Sequence, residues 1–557
     1  MDDNAKELTR IGDGLFKKKL TWDELNQDIA ENFYPLRADF TSPFNLGDDF
    51  GTDLMESYPV LAREQLGNAV GAMLRQGDWF EIKTGFDEID EDPANARWLE
   101  DATSRFRRLV YDRRANFVRA TNEADHDYVA FGNPVLSVEE SPSRDHFLFR
   151  SWHPRDCAVM ENGVGKIDHL QRNMPMTARN MKRRWPKTIH SDVETACKTD
   201  PSKEFKVRHV VMPVDELYGS DRKMRRKYAG MPYLSLYVDC DHQTILGEGG
   251  LPVFSYVVPR WRTISGYAHG FSPASITALP DGRMLQSLAR ILLEQGEKAI
   301  DPPMYGRGEI FRDAVNRYAG GLTYVDLEAD QNIREALMFE EPSTGIGVGL
   351  EMKQDVRNLI AEAFLLNKLR FPVLDGMPIL QVQALLEESK RNLLPFFGPL
   401  ESEYHLPLLD TAFAMGINNR QFDFAAAPDG LKRYLQNEDG SPGGELTFVF
   451  ESPLNSQEGR AKVASFQESV QILAGAAQFD QSIPTTVDFK KMSKDAIKGT
   501  GAPADWFADE EQQQTDEEAQ ASVSRLASAA AALKAGAGVA TDVAGASMAL
   551  QEAGIAA

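Results

Sequence analysis

The chain has 557 residues, 42% of them hydrophobic and 26% charged, with a formal net charge of −23. These proportions mark a folded chain, and the length exceeds what one core holds, so several domains are expected. The carboxylate excess argues against a protein that grips nucleic acid by neutralising phosphates; it does not argue against an acidic surface that repels phosphate and lets nucleic acid slide past, and solubility alone accounts for it equally well.

Leu15 to Phe33 is predicted to be helical, with a Thr21–Glu24 capping box and Trp22, Leu25 and Ile29 on one face. Asp53 to Arg75 reads as a second helix, with Leu61, Leu66, Val70 and Leu74 on its apolar side. Residues 93–129 form a helical block with Trp98, Leu99, Phe106, Leu109 and Val110 as core candidates. Strand patterns then follow from Asn133 through FLFRSW, KIDHLQR, KVRHVVMPV, PYLSLYVD and PVFSYVV. Helices followed by an antiparallel sheet make the fold class α+β.

The stretch from Phe254 to Met304 is the most structured pattern. An apolar strand ends at Pro259, which has no N–H for a ladder, and Gly266, Gly270 and Pro273 mark an irregular loop. Pro280 suits a first helical turn, Asp281 favours the positive end of the helix dipole, and Leu285, Leu288 and Leu292 recur at helical spacing until Pro302 and Pro303. About 20 residues at helical rise span roughly 30 Å. Glycine-rich sequence with the short strand LTYVDL follows, ending near GIGVG at 345–349. A second helix is expected from about Leu350, with Val356, Leu359, Ile360, Ala363 and Phe364 on one face. NKLRFPVLDGMP cannot continue it, because Phe371 is followed by Pro372, Gly376 and Pro378. Ile379 to Met415 reads as a long helix that Pro395, Pro399 and Pro407 kink or break. From Asp509 the composition shifts to Glu/Gln and then Ala/Gly/Ser, a disordered or loosely helical tail.

Catalytic and cofactor motifs do not emerge. GIGVG fails the G-x-G-x-x-G spacing at Leu350, and there is neither G-x-x-x-x-G-K-[ST] nor H-E-x-x-H. Three cysteines, Cys157, Cys197 and Cys240, without a C-x-x-C pair argue against a disulfide framework and a zinc site and suit a reducing cytoplasm. Of nine histidines, His126, His146 and His153 lie closest, and core or helix-face roles suit them better than metal ligation. No metal, cofactor or catalytic residue is therefore expected. The N-terminus lacks a secretory pattern, and no run of about 18 apolar residues suggests a membrane span. Two basic runs, 182–187 and 222–227, read first as solvated loops, then as protein interfaces, and last as DNA contacts.

The ordered series Val257-Val258-Pro259-Arg260-Trp261, Gly266 to Gly270, Leu279-Pro280-Asp281 and Ala299-Ile300-Asp301-Pro302-Pro303 resembles the central signature of the bacteriophage portal family, the head-to-tail connecting proteins of short-tailed and related phages. Phe131-Gly132-Asn133-Pro134 resembles that family's turn into a β-hairpin, and Met176-Thr177-Ala178-Arg179 the helix interrupting its sheet. Phe397-Gly398-Pro399, Val487-Asp488-Phe489 and the segment 501–507 extend the likeness to about Phe507.

The resemblance implies a wing over 1–279, stem helices at 280–300 and 348–367 flanking a clip at 301–347, and a tunnel loop at 368–378. A return through the wing over 379–453, a crown at 454–508 and a tail at 509–557 complete the plan. It implies a non-enzymatic conduit and assembly platform: a dodecameric ring at one capsid vertex of the virion, built in the host cytoplasm, passing double-stranded DNA in packaging and ejection. The implied partners are the terminase large subunit, a tail adaptor protein, and the major capsid and scaffold proteins, with no membrane and no cofactor. Lys368, Arg370 and Phe371 would face the DNA channel, and Arg307, Arg312 and Arg317 would dock the motor. Leu285, Leu288, Leu292, Val356, Leu359 and Ile360 would pack the stem. A multidomain enzyme without a recognisable motif and another virion structural protein, such as a tail tube, are the rival readings.

Overall fold

The computed structural model describes residues 2–42, 51, 54–75, 77–90, 92–141, 143, 145–219, 221–306, 337–339, 345–369, 395, 398–422, 424–435 and 444–450, with scattered positions between 463 and 497. It divides into two compact units. One comprises residues 1–80, 104–423 and 450–454; the other comprises 81–103, 424–449 and 455–557.

In the first unit, helices α1 (Asp2–Lys18) and α2 (Leu20–Phe33) run almost end to end. The expected capping box at Thr21 does not act as one, because the helix has no free start there. The junction residue Lys19 is buried instead, and its ammonium donates to the carbonyls of Pro154, Arg155 and Cys157 at 2.7, 2.9 and 2.8 Å. Helix α3 (Tyr58–Leu74) starts later than expected; Leu66, Val70 and Leu74 are buried, whereas Leu61 is half exposed. The expected single block over 93–129 is two helices. The first, Pro93–Val110, ends before a turn in which Asn116 takes a left-handed φ of 58°, and α4 (Phe117–Phe131) follows. Of the core candidates there, Phe106 and Val110 are buried and Leu109 is half-buried.

The sheet region is antiparallel throughout. Strands β1 (Val135–Glu140), β2 (Phe147–Trp152) and β8 (Tyr256–Val257) form a three-stranded sheet with β1 in the middle. Strands β3 (Cys157–Glu161), β4 (Ile167–Thr177), β5 (Glu204–Pro213), β6 (Tyr233–Asp239) and β7 (Thr244–Leu251) form a five-stranded meander in chain order. Period-2 alternation sorts its two faces. Val210, Met212, Leu234, Leu236 and Val238 pack against Ala5 and Leu8 of α1. Phe205 and Val207 point the other way, against α5 (Ala178–Arg184) and α6 (Ser191–Thr199). Val211 shares that second face and meets Val135 and Tyr256 of the smaller sheet. The basic run 222–227 is a short helix, α7 (Arg222–Lys227), rather than an open loop.

A π-helical turn, Ala274–Ala278, leads directly into α8 (Leu279–Ile300), where Pro280 occupies the first turn. Strands Met304–Gly306 and Leu337–Phe339 pair antiparallel beyond it. Helix α9 (Ile346–Ala363) begins inside GIGVG, earlier than expected, and α10 (Leu406–Asn418) follows a π-helical turn, Glu401–His405, placed just after Pro399. The front of the expected helix over 379–415, the strand LTYVDL and the tail beyond 509 lie outside the described residues.

In the second unit, strand Phe80–Lys83 pairs with Thr447–Phe450. Tyr434 Oη donates to Thr84 O at 3.1 Å, its ring meets Phe86, and the half-buried Trp98 packs on Phe424 at 5.6 Å.

Candidate functional site: the α8–α9 pair and its anchors

Helices α8 and α9 pack side by side, with Gly349 facing Leu292. A Cβ on Gly349 would stand 2.7 Å from Leu292 Cδ2, so only a residue without one admits the leucine in its present place. Leu285, Val356 and Ile360 are buried, and Leu288 and Leu292 are half-buried. Leu359, expected on the same face, is 50% exposed. A helix turns about 100° per residue, so Leu359 sits at the edge of the stripe that Val356 and Ile360 centre.

The base of the pair is fixed to the front helices. Phe33 lies against Gly282 and Phe364, the two rings 5.4 Å apart. Arg283 bonds Asp28 at 2.5 Å. The Gln286 side chain holds the backbone before α3, accepting from the amides of Met55 and Glu56 at 2.9 Å and donating to Glu56 O at 2.8 Å. Glu56 takes Lys353 at 2.6 Å and Arg357 at 2.7 Å, both on α9. Burial pushes the Glu56 carboxyl up, but hydrogen bonds from these two cations outweigh it and hold it below the usual range. Such a charge-assisted fork fixes α9 in rotation as well as position.

The motifs around Phe131–Pro134, Pro259–Trp261 and Gly266–Gly270 meet at one place. Gly132, at φ 81°, ends α4, and its carbonyl accepts from Trp261 N at 3.0 Å. The Asn133 side chain donates to Pro259 O at 3.2 Å and accepts from Gly270 N. Arg260 reaches Glu161 at 3.2 Å, Glu403 at 3.3 Å and Gly165 O at 2.9 Å. The Phe-Gly-Asn-Pro turn, the Pro-Arg-Trp step and the Gly-rich loop are thus one interlocked joint, with Asn133 bonded to backbone and Arg260 to two carboxylates and a carbonyl. A second buried pair, Arg75 with Asp125, sits beside Tyr404 and His405. Burial opposes the Arg75 guanidinium, but Asp125 more than offsets it and keeps it charged. The partner lies 50 positions away, so nothing in the sequence pattern announced it.

The histidines expected to lie closest are not brought together. His126 faces Arg63 at 2.9 Å, His153 faces Asp39 at 2.7 Å, and His146 bonds its neighbour Asp145. Among the described residues, three ligand-type side chains that do gather are His190, Asp192 and His242. A cleft of about 530 Å³ lined by Thr177, Arg179, Asn180, Arg183, Pro201 and Ser202 holds no acid, thiol or imidazole for chemistry. No helix among the described residues is long and apolar enough to cross a membrane. Lys368 lies on a short helix, Leu366–Leu369, and is half-buried. Arg370, Phe371, Arg307, Arg312 and Arg317 lie outside the described residues.

Comparison with known proteins agrees with the sequence motifs. The family model for bacteriophage head to tail connecting protein matches residues 5–507. A probable portal protein of Bordetella phage BPP-1 is 24% identical over 421 residues, covering 72% of this chain and 72% of that protein. The portal protein of Salmonella phage epsilon15 is 23% identical over 467 residues, covering 81% and 79%. A chain of the virion of a native gene transfer agent particle overlays with a TM-score of 0.33 at 10% identity. With its signature residues joined in one place and the match running from residue 5 to residue 507, this chain belongs to the bacteriophage head to tail connecting protein family.

Proposed function

We propose that copies of this chain close into a dodecameric ring at one capsid vertex and that the ring is the channel for double-stranded DNA in packaging and ejection. Beyond family membership, the observation that supports this reading is the surface of the α8–α9 pair. Met284 and Ile291 lie on one side of the buried α8 stripe, and Leu293 and Ile300 lie on the other; all four are at least 42% exposed. On α9, Val348, Met352 and Leu359 flank the seam on one side and Leu350 on the other, again exposed. One chain alone leaves these apolar edges in water. A head-to-tail ring needs two different adhesive flanks on each subunit, one for each neighbour, and this is the arrangement found.

In this reading the helices over 280–300 and 348–367 are the stem. The segment 301–347, with Arg307, Arg312 and Arg317, docks the terminase large subunit and later the tail adaptor protein. The wing and crown meet the major capsid and scaffold proteins, and Lys368, Arg370 and Phe371 border the channel. The protein acts as a conduit and platform in the virion, without cofactor or catalysis of its own, and is assembled in the host cytoplasm. The net charge of −23 supports passage rather than capture of DNA. Negative-stain microscopy and mass measurement of the purified chain test it: rings with a central hole are expected, and a monodisperse monomer at micromolar concentration would overturn it.

A further inference from the structure

The two edges of the five-stranded meander differ. At one edge β3 is closed: Cys157 and Ala158 are buried, and the Cys157 carbonyl accepts from the Lys19 ammonium at 2.8 Å. At the other edge seven of the eight residues of β7 are half-buried, and β7 has a ladder partner, β6, on one side only. Apart from that ladder, one hydrogen bond reaches the backbone of β7 among the described residues, from Thr188 Oγ1 to Leu246 O at 2.5 Å. Leu246 is the extra residue of a bulge, and beyond it Gly247 to Leu251 pair with Tyr237 to Tyr233 in unbroken register. Alternate residues of such a strand turn their N–H and C=O away from the ladder, so this stretch presents a row of backbone groups open to another strand.

Basic segments border this edge on both faces of the sheet. Trp185 lies over Gly247, its Nε1 2.8 Å from where a Cβ would stand, and brings the run 182–187 to one face. On the other face Tyr228 and Met231 lie against Gly250. Glu248 accepts there from Tyr228, from Tyr218 at 2.9 Å and from Lys227 at 3.3 Å, which holds α7 beside the strand. The side chains of Arg183, Lys187, Arg222, Lys223 and Arg226 are exposed and have no hydrogen-bond or ion-pair partner among the described residues. Residues 178–251 contain fourteen Lys and Arg against ten Asp and Glu, in a chain whose net charge is −23. Strand β7 itself holds neither the lysine nor the proline with which sheet edges are commonly blocked.

We propose that the edge of β7 from Gly247 to Leu251 docks an extended, acidic segment of a partner protein, which adds a sixth strand to the meander. Backbone hydrogen bonds supply the pairing. Side chains of the added strand alternate between the two faces, so its carboxylates meet the cations of 182–187 on one face and those of 222–227 on the other. A second copy of this chain does not fit the edge. Its β7 brings the same basic flanks, like against like, and its β3 edge is closed. Nucleic acid fits less well than a strand, because phosphates engage the cations and leave the open amides and carbonyls of β7 unused. The site lies within one chain and is independent of the α8–α9 flanks.

The test uses the full-length protein and a fluorescent peptide in which Glu alternates with Val or Thr, followed by anisotropy and by amide hydrogen exchange. Saturable binding is expected, with slowed exchange over 244–251 and weakening as salt rises. Arg222→Glu combined with Arg226→Glu changes exposed side chains only, so it should weaken binding about fivefold or more with the circular dichroism spectrum unaltered. The same peptide N-methylated at every amide keeps its charge but cannot pair, and it should not bind. Equal binding of the methylated peptide, protection confined to residues outside β7, or no saturation at millimolar peptide would overturn the proposal. Short duplex DNA of matching charge should compete poorly; efficient competition would make this face a nucleic-acid surface and overturn the proposal as well.

Discussion

The ring of Phe33 occupies the space where a side chain on Gly282 would begin: a Cβ there would stand 2.7 Å from Cζ and 3.0 Å from Cε2. Phe33 is fully buried and braced by Phe364, so it has nowhere to go. Gly282→Ala should therefore destabilise the fold by about 1–3 kcal/mol through overpacking, despite the roughly 1 kcal/mol that alanine gains over glycine in a helix. Gly349→Ala meets only the tip of Leu292, a half-buried side chain that can swing aside. There the helix preference should win, and stability should stay level or rise by up to about 1 kcal/mol. Urea midpoints of both variants check the pair; equal losses would show that Leu292 is as fixed as Phe33.

Two adjacent residues on α9 separate folding from assembly. Ile360 is fully buried in the chain's own core, whereas Leu359 is half exposed. Ile360→Asp buries an unpaired carboxylate and should cost several kcal/mol, leaving little folded protein. Leu359→Asp puts its charge in water in the isolated chain, so the subunit should fold with a normal circular dichroism spectrum and yet fail to form rings on a sizing column. Rings of wild-type size from Leu359→Asp would remove that flank of α9 from the proposed interface.

Elements with a strong apolar period were legible from the residues. The strands Glu204–Pro213 and Tyr233–Asp239 and the helix Leu279–Ile300 lie where alternation and the Leu285, Leu288, Leu292 spacing put them, whereas the strand Thr244–Leu251, with three glycines, was not expected. Of helix α1 only the part from Leu15 onward was expected. Gly12 is tolerated because a side chain there would collide with Gln171 and Arg208, so the glycine is what lets the helix lie on the sheet. GIGVG is largely helical, α9 beginning at Ile346, and its last glycine, Gly349, lies against Leu292 of α8. Buried partners such as Arg75 and Asp125 come from distant segments and leave no spacing for a reader to find. The family motifs were visible, but only the fold shows that Gly132, Asn133, Pro259, Trp261 and Gly270 are one joint.

The loop after α9 carries the proposed contact with DNA. In the proposed channel Lys368 and Arg370 would be cations of a chain whose overall charge is negative, and single phosphate contacts at a solvated site are weak and salt-sensitive. Such contacts would brake DNA against leakage without stopping its travel. Lys368→Ala combined with Arg370→Ala should leave ring assembly intact and lower DNA retention in filled heads, more clearly at low salt than at high. Retention equal to wild type at both salts would mean that these residues serve the protein rather than the DNA.

Acid should loosen the first unit through two histidines. Burial and the neighbouring Arg63 lower His126 to about 4, and burial with Lys19 and Arg260 lowers His269 to about 4. Both folded values lie below the unfolded value of about 6.5, so each contributes stability that is present above about pH 6.5 and lost as pH falls through 4. At about 1.4 kcal/mol per pH unit, His269 contributes at most about 3 kcal/mol, and the more solvated His126 roughly 1–2 kcal/mol after screening. Asp23 acts in the opposite direction. Burial raises it to about 6 against the attraction of Lys19, so its contribution is full below about pH 4 and is lost as pH rises through 6. Burial lowers His209 and His405 in the same sense as these histidines and raises Asp125 and Asp127 in the same sense as Asp23, so the change in urea midpoint between pH 7 and pH 4.5 is read as a difference between the wild type and a single-site variant. In His126→Gln, which keeps an acceptor near Arg63 but cannot charge, the change should be less destabilising than in the wild type by the His126 share. An unchanged pH slope in that variant would show that His126 does not contribute to acid sensitivity.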